Sequence, residues 1–245
     1  NNLASKGYNL ILTARREDRL LTIANEIAEK FDVKVDYISC DLSDIDTPKQ
    51  IFKFCLSRGY EVEILINNAG YGIASPFHET PMEVEEDFIR VLGTSVIALS
   101  KIFLPTMIER QSGKIMIVSS VASFSPPSSI QALYGPIKTF MNRFSDAINI
   151  NYNHLGITST ALCPGFTVTE FHAASGVPNE MDRVPSFMKF SAERVAKEGV
   201  DAMFAGKPIC VPTMTYKTLV FMLKYLPASI LSLLGGKLAP GRYDK

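Results

Sequence analysis

The sequence predicts an α/β protein with a single, doubly wound parallel sheet. Short apolar runs fit for buried strands recur along the chain, and amphipathic stretches of helical period lie between them. No linker, internal repeat or low-complexity segment divides the 245 residues. With 47% apolar and 20% charged residues, the chain can bury a substantial core. Parallel strands joined by helices cross over right-handedly, and such sheets bind ligands beyond the carboxyl ends of their strands.

Residues 1–7 read as the tail of a helix closed by Gly7, so earlier residues are expected upstream. Residues 8–14 (YNLILTA) form a short apolar strand. Residues 16–31 set Leu20, Ile23, Ala24, Ile27 and Phe31 at helical spacing. A second strand spans 34–40, and a helix spans 47–58 with Pro48 near its start, where a missing N–H costs little. Residues 63–66 lead a third strand into Asn67-Asn68-Ala69-Gly70. A long helix covers about 82–111 and is interrupted around Gly93. Strand 114–119, helix 132–155 and strand 157–162 follow, the last ending at Cys163-Pro164-Gly165. A helix over 192–205 leads to a final strand at 208–211.

Lys plus Arg equals Asp plus Glu at 25 each, and no basic run marks a nucleic-acid surface. Cys40, Cys55, Cys163 and Cys210 are scattered without a CxxC pair, which fits reduced thiols of a cytoplasmic protein. His78, His154 and His172 lack ligand spacing, so no metal site is expected. No signal peptide is visible, and no apolar run is read as reaching the ~18–20 residues that span a bilayer.

Tyr134-Gly135-Pro136-Ile137-Lys138 sets a phenol and an ammonium one helical turn apart on one face. A nearby cation favours the phenolate and makes the tyrosine a proton donor near neutral pH. Alone, such a pair is usually a solvated helix surface. Ser119-Ser120 ends a strand at the ligand crevice, where a hydroxyl can hydrogen-bond a substrate carbonyl. The competing reading, a serine capping the following turn, suits Ser119 better than Ser120.

Taken in order, Asn67-Asn68-Ala69-Gly70, Ser120, Tyr134-x-x-x-Lys138 and Pro164-Gly165 resemble the short-chain dehydrogenase/reductase family over residues 1–211. The resemblance implies a Rossmann-like sheet and three catalytic residues: Tyr134 as general acid/base, Lys138 holding the nicotinamide ribose, and Ser120 orienting the carbonyl. It further implies that Asn68, Ala69 and Gly70 line the adenosine ribose. Pro164, Gly165, Thr167 and Thr169 would face the nicotinamide carboxamide, and Asp41-Leu42 the adenine.

Cofactor choice follows from charge. NAD-preferring folds place a carboxylate at the end of the second strand, and NADP-preferring ones an arginine for the 2′-phosphate. Here the strand over 8–14 ends in Arg15-Arg16, with no carboxylate before Glu17. NADP(H) is expected, with Arg15 the leading contact and Arg16 the second.

Three departures stand out. The family's first strand and glycine-rich turn are not among these residues and are expected to precede Asn1. The family's helix asparagine falls on Leu92 or Arg90, depending on where the count starts. The loop from Ser120 to Tyr134 also counts about one residue longer than the family's.

By analogy residues 169–190 form the substrate loop of the 1–211 catalytic domain. Phe171, His172, Val177, Met181, Phe187, Met188 and Phe190 either line a pocket for an apolar ketone or secondary alcohol, or pack a short helix. In the 212–245 tail, Leu219, Val220, Met222, Leu223, Leu226, Ile230, Leu231, Leu233 and Leu234 surround Pro227, with Lys217, Lys224 and Lys237 interleaved. That tail reads as a cap on the pocket, a subunit interface or a peripheral membrane contact. The resemblance also implies a homo-oligomer, dimer or tetramer. The reading is thus an NADP-dependent carbonyl reductase, against a catalytically weak dinucleotide-binding scaffold. An epimerase or dehydratase on a related fold lacks its nucleotide-sugar features.

Overall fold

The computed structural model describes residues 1–125, 132–171 and 184–225. The expected glycine cap is present. A 3₁₀ turn at Ala4–Lys6 closes on Gly7, whose left-handed φ of 84° lets its N–H reach the Ala4 carbonyl.

Strand β1 (Leu10–Ala14) pairs in parallel with β2 (Val35–Ser39), and α1 (Glu17–Phe31) crosses between them. Helix α1 buries Leu20, Ala24 and Ile27, one stripe of a 3.6-residue period. Ile23, expected in the core, is 42% exposed because it falls off that stripe. Helix α2 (Thr47–Ser57) carries Pro48 in its first turn, as the spacing predicts.

A four-stranded parallel sheet has the order β3 (Ile64–Asn67), β4 (Gly113–Val118), β5 (Ile157–Leu162), β8 (Ile209–Cys210). Among the described residues β1 and β3 each pair on one edge only. A small pair, β6 (Thr167–Val168) with β7 (Phe190–Ser191), brackets the substrate loop and was not read from the sequence. Strand β8 shrinks from the expected four residues to two because only Ala161 and Leu162 of β5 face it.

Side-chain alternation on β4 sorts the core into two layers. Ile115 and Ile117 face Val96, Leu99, Phe103 and Met107 of α4 (Ser95–Arg110) and Met141 and Ile148 of α5 (Tyr134–Tyr152). Met116 faces the other way, onto Val195, Val200 and Met203 of α6 (Ala192–Phe204). Each of these apolar side chains contributes about 1.5–3 kcal/mol by leaving water. Helices thus cover both faces, which is the doubly wound arrangement.

The long helix is not broken at Gly93. Helix α3 (Met82–Ile89) continues through a π-turn at Arg90–Thr94 into α4. The whole stretch Met82–Arg110 is long and apolar enough to cross a membrane, which corrects the sequence expectation that no segment is. Half of that apolar window is buried, and its inward side chains form the core above. The last described element is α7 (Met214–Tyr225).

Candidate active site

The crevice lies where β4 and β5 end. The ladder continues past both strands, with Ser119 N–H donating to Leu162 at 2.7 Å and Val121 N–H to Pro164 at 2.9 Å. Helix α5 starts above this point, so its first residue, Tyr134, is at the mouth and Lys138 one turn deeper.

Lys138 is 6% exposed, and its ammonium donates to the Val118 carbonyl at 2.7 Å. Its nitrogen lies 5.6 Å from the centre of the Tyr134 ring. Burial lowers its pKa from 10.5 to about 8, with the neighbouring Cys163 acting weakly the other way. Burial likewise pushes the Cys163 thiol up to about 11, so it stays a thiol.

The cap that the sequence suggested for Ser119 falls on Ser120. Ser119 is buried, and its hydroxyl donates to the Lys138 carbonyl at 3.1 Å. Ser120 caps the following 3₁₀ turn, accepting from Ala122 N–H at 3.1 Å. Capping uses an oxygen lone pair, so the Ser120 hydroxyl still has its proton to donate to a carbonyl.

An aromatic row leads away from the site. Tyr71 meets Phe88 edge-on at 5.4 Å, Phe88 meets Tyr134 at 6.5 Å, and Tyr134 meets Phe171 at 6.1 Å. Phe171 of the expected substrate loop is therefore against Tyr134. A small cleft beside Leu133, with little more room than one water molecule, is lined by Ile73, Phe77, Phe88 and Ala132, with Ser75 and Glu85 as polar members.

Leu92 and Arg90, the two places for the helix asparagine, part company. Leu92 is 1% exposed, and its Cγ lies 3.7 Å from where a Cβ on Gly70 would stand, a point 3.8 Å from the Lys138 amine. Arg90 opens the π-turn and is half-buried. Leu92 and Lys138 thus both approach Gly70.

Asn68 and Ala69 are exposed and Gly70 half-buried at the end of β3, open to a ligand. Asn67 is 7% exposed with neither side-chain polar atom hydrogen-bonded, an orphaned amide that the sequence reading passed over. Arg15 lies 3.8 Å from Asp41, and Arg16 meets Glu170 at 3.0 Å. Arg19, three residues further along α1, binds Glu170 with both guanidinium nitrogens at 2.5 and 2.6 Å. Hydrogen bonds from Arg19 and then Arg16 hold the Glu170 carboxyl down at about 2. The i, i+3 spacing from Arg16 was the available signal for Arg19. Asp41 also accepts from Ser43 N–H, while Leu42 packs against the core rather than facing solvent.

On the other side Thr167 donates to the Gly165 carbonyl, and Thr169 accepts from Phe171 N–H. Pro164 accepts at the strand end, and Gly165 is pressed against Tyr216 of α7, whose ring atoms lie 1.9–2.2 Å from where a Cβ would be. The Tyr216 hydroxyl donates to Met188 at 2.8 Å and accepts from Phe166 N–H at 2.9 Å. The tail helix so clamps both ends of the substrate loop, a role visible only in three dimensions. His172, Val177 and Met181 of that loop, residues 126–131 between Ser120 and Tyr134, and Leu226, Pro227, Ile230, Leu231, Leu233, Leu234 and Lys237 of the tail lie outside the described residues.

The short chain dehydrogenase family model matches residues 1–178. The very-long-chain 3-oxoacyl-CoA reductase of Rattus norvegicus is 31% identical over 203 residues, covering 81% of this chain and 61% of that protein. The inactive hydroxysteroid dehydrogenase-like protein 1 of Homo sapiens is 28% identical, over 83% of this chain and 62% of its own length. The chain thus spans about three fifths of the length of these curated relatives. A short-chain dehydrogenase from Sphingobium yanoikuyae, solved with NADPH, superposes with a TM-score of 0.80 at 22% identity, covering 94% of this chain and 88% of that one.

Proposed function

Since this chain belongs to the short-chain dehydrogenase family, we propose that it is an NADP(H)-dependent oxidoreductase that interconverts an apolar ketone and its secondary alcohol. The observation that carries this reading is Lys138. A buried amine with a single carbonyl partner is costly to keep, and it faces a tyrosine ring at the ligand end of a wound sheet.

The residues present suit NADP(H). Arg15, Arg16 and Arg19 gather positive charge at the end of β1, each beside a carboxylate that a 2′-phosphate can replace. Asn68, Ala69 and Gly70 offer an open strand end, and the orphaned Asn67 amide offers unused donors and an acceptor there. When bound, the nicotinamide supplies the hydride.

The chain's own residues do the rest. Ser120 donates its hydroxyl proton to the substrate oxygen and holds it. Tyr134 gives its phenolic proton to that oxygen as the alcohol forms and takes it back in the reverse direction. Lys138, with two N–H groups beyond the one spent on Val118, binds ribose hydroxyls and stabilises the phenolate. Phe171 and Phe88 beside Tyr134 favour a hydrophobic substrate. The clamp formed by Tyr216 supports the cap reading for the described part of the tail. A homo-oligomer is part of this proposal, since Phe140 and Ile150 on α5 are 53% and 82% exposed, and so is a cytoplasmic location.

Tyr134→Phe tests the mechanism: it should abolish NADPH oxidation with a panel of aromatic, steroid-like and acyl ketones while leaving NADPH binding by fluorescence titration intact. Full turnover in that variant would overturn it. A scaffold that binds dinucleotide without turnover is the second reading, favoured by Leu92 in place of a polar relay group. A wild type that binds NADPH but reduces no ketone in the panel would select it.

A further inference from the structure

We propose that Asn142 is a positioning residue that locks the substrate-orienting serine and the nicotinamide-side loop into one geometry. This rests on the oxidoreductase reading for what it positions, and on side-chain geometry for how. Asn142 lies one turn beyond Lys138 on α5 and is 6% exposed. Its amide nitrogen donates to Ser123 Oγ at 2.8 Å, and its amide oxygen accepts from the Cys163 thiol at 3.5 Å. One side chain therefore touches the loop after β4 and the residue that follows β5.

The direction of the Ser123 bond is forced. Ser123 has one hydroxyl proton, and it goes to the Ser120 carbonyl at 2.6 Å. Whatever approaches Ser123 Oγ must then be a donor, and the amide nitrogen is one. That leaves the amide oxygen to face Cys163, whose thiol also has the Ala161 carbonyl within reach at 3.7 Å. An amide supplies a donor and an acceptor on one planar group at any pH; leucine supplies neither, and aspartate has a donor only when protonated. Thr139, the residue after Lys138, shares its hydroxyl proton between the Ser123 and Gly135 carbonyls, each at 3.0 Å. The helix that carries Tyr134 and Lys138 thereby sets where Ser120 stands, and through Cys163 it sets where Pro164 begins.

Asn142→Asp separates positioning from mere packing, because it keeps the shape and removes the donor. Once ionised, the introduced carboxylate draws the Ser123 proton to itself and frees the Ser120 carbonyl. With NADPH and a ketone from the panel, kcat at neutral pH should fall about 10–100-fold, the scale of a small misplacement, with KM for NADPH unchanged. Activity should recover towards acidic pH, as the carboxyl regains a proton to donate. Ser123→Ala should lower kcat by the same factor, and Ser123→Ala with Asn142→Ala should be no worse than either alone. A pH-independent loss in Asn142→Asp, or additive losses in the double variant, would overturn the proposal. If the Asn142 variants do not fold, Ser123→Ala decides alone: unchanged kcat sinks the idea. Hydrogen–deuterium exchange of residues 119–125 without cofactor keeps the two readings apart. Faster exchange there in Asn142→Ala supports the lock even if the wild type reduces no ketone, and unchanged exchange refutes it.

Discussion

Leu92 and Lys138 converge on one point above Gly70, the leucine Cγ 3.7 Å and the lysine amine 3.8 Å from it. Burial with a single carbonyl partner explains why the amine is poised near pH 8 rather than 10.5. NADPH affinity should therefore weaken as pH rises through about 8 and the ammonium is lost. Leu92→Asn, which offers the amine an acceptor, should move that midpoint up by about one unit, at a cost of about 2–4 kcal/mol in stability. Fluorescence titrations from pH 6.5 to 9.5 check this; an unmoved midpoint would show that Leu92 does not control the lysine.

The same lysine has a signature in stability. Its folded pKa lies below its unfolded value, so the unfolded chain holds the proton more tightly, and folding gains stability as pH rises from about 8. The thiols work the other way: burial raises Cys163, Cys40, Cys55 and Cys210, and each removes stability as pH rises through about 9. The lysine's own share between pH 8 and 9 is about 1 kcal/mol. Urea unfolding at both pH values should show it as a difference, the wild type changing about 1 kcal/mol more favourably than Lys138→Met, in which the thiols act alone.

Glu170 occupies the two arginines that a 2′-phosphate would seek. All three side chains are solvated, so the tie is weak and easily exchanged. Glu170→Gln should tighten NADPH about two- to tenfold at low salt and leave NADH unchanged. Equal tightening of both nucleotides would place the effect away from the phosphate.

Gly165→Ala should destabilise the fold by about 1–3 kcal/mol or more, because its methyl would penetrate the Tyr216 ring. In a Tyr216→Ala background the same change should cost under about 0.5 kcal/mol, since the obstacle is gone. Thermal melts of the four proteins complete the cycle, and additivity would count against the clamp.

How far the sequence reached depended on range. Elements set by local period or local caps were legible: α1, Pro48 in α2, the Gly7 cap and every strand of the main sheet. The placement of Ser120, Tyr134 and Lys138 at strand and helix ends followed from the winding rule, and Lys138 lies between the Val118 carbonyl and the Tyr134 ring. Three features depended on contacts far apart in sequence and were missed: Arg19 on Glu170, Tyr216 on Gly165, and Asn142 between Ser123 and Cys163. The cap given to Ser119 belongs to Ser120, because cap and core positions differ by one residue and only the bonding partners distinguish them.

Strands β1 and β3 each keep one side of their backbone unanswered among the described residues. Such edges recruit whatever extended chain comes near. A strand from another copy laid on either edge would extend that sheet, so self-association through these edges is the expected failure of the purified chain.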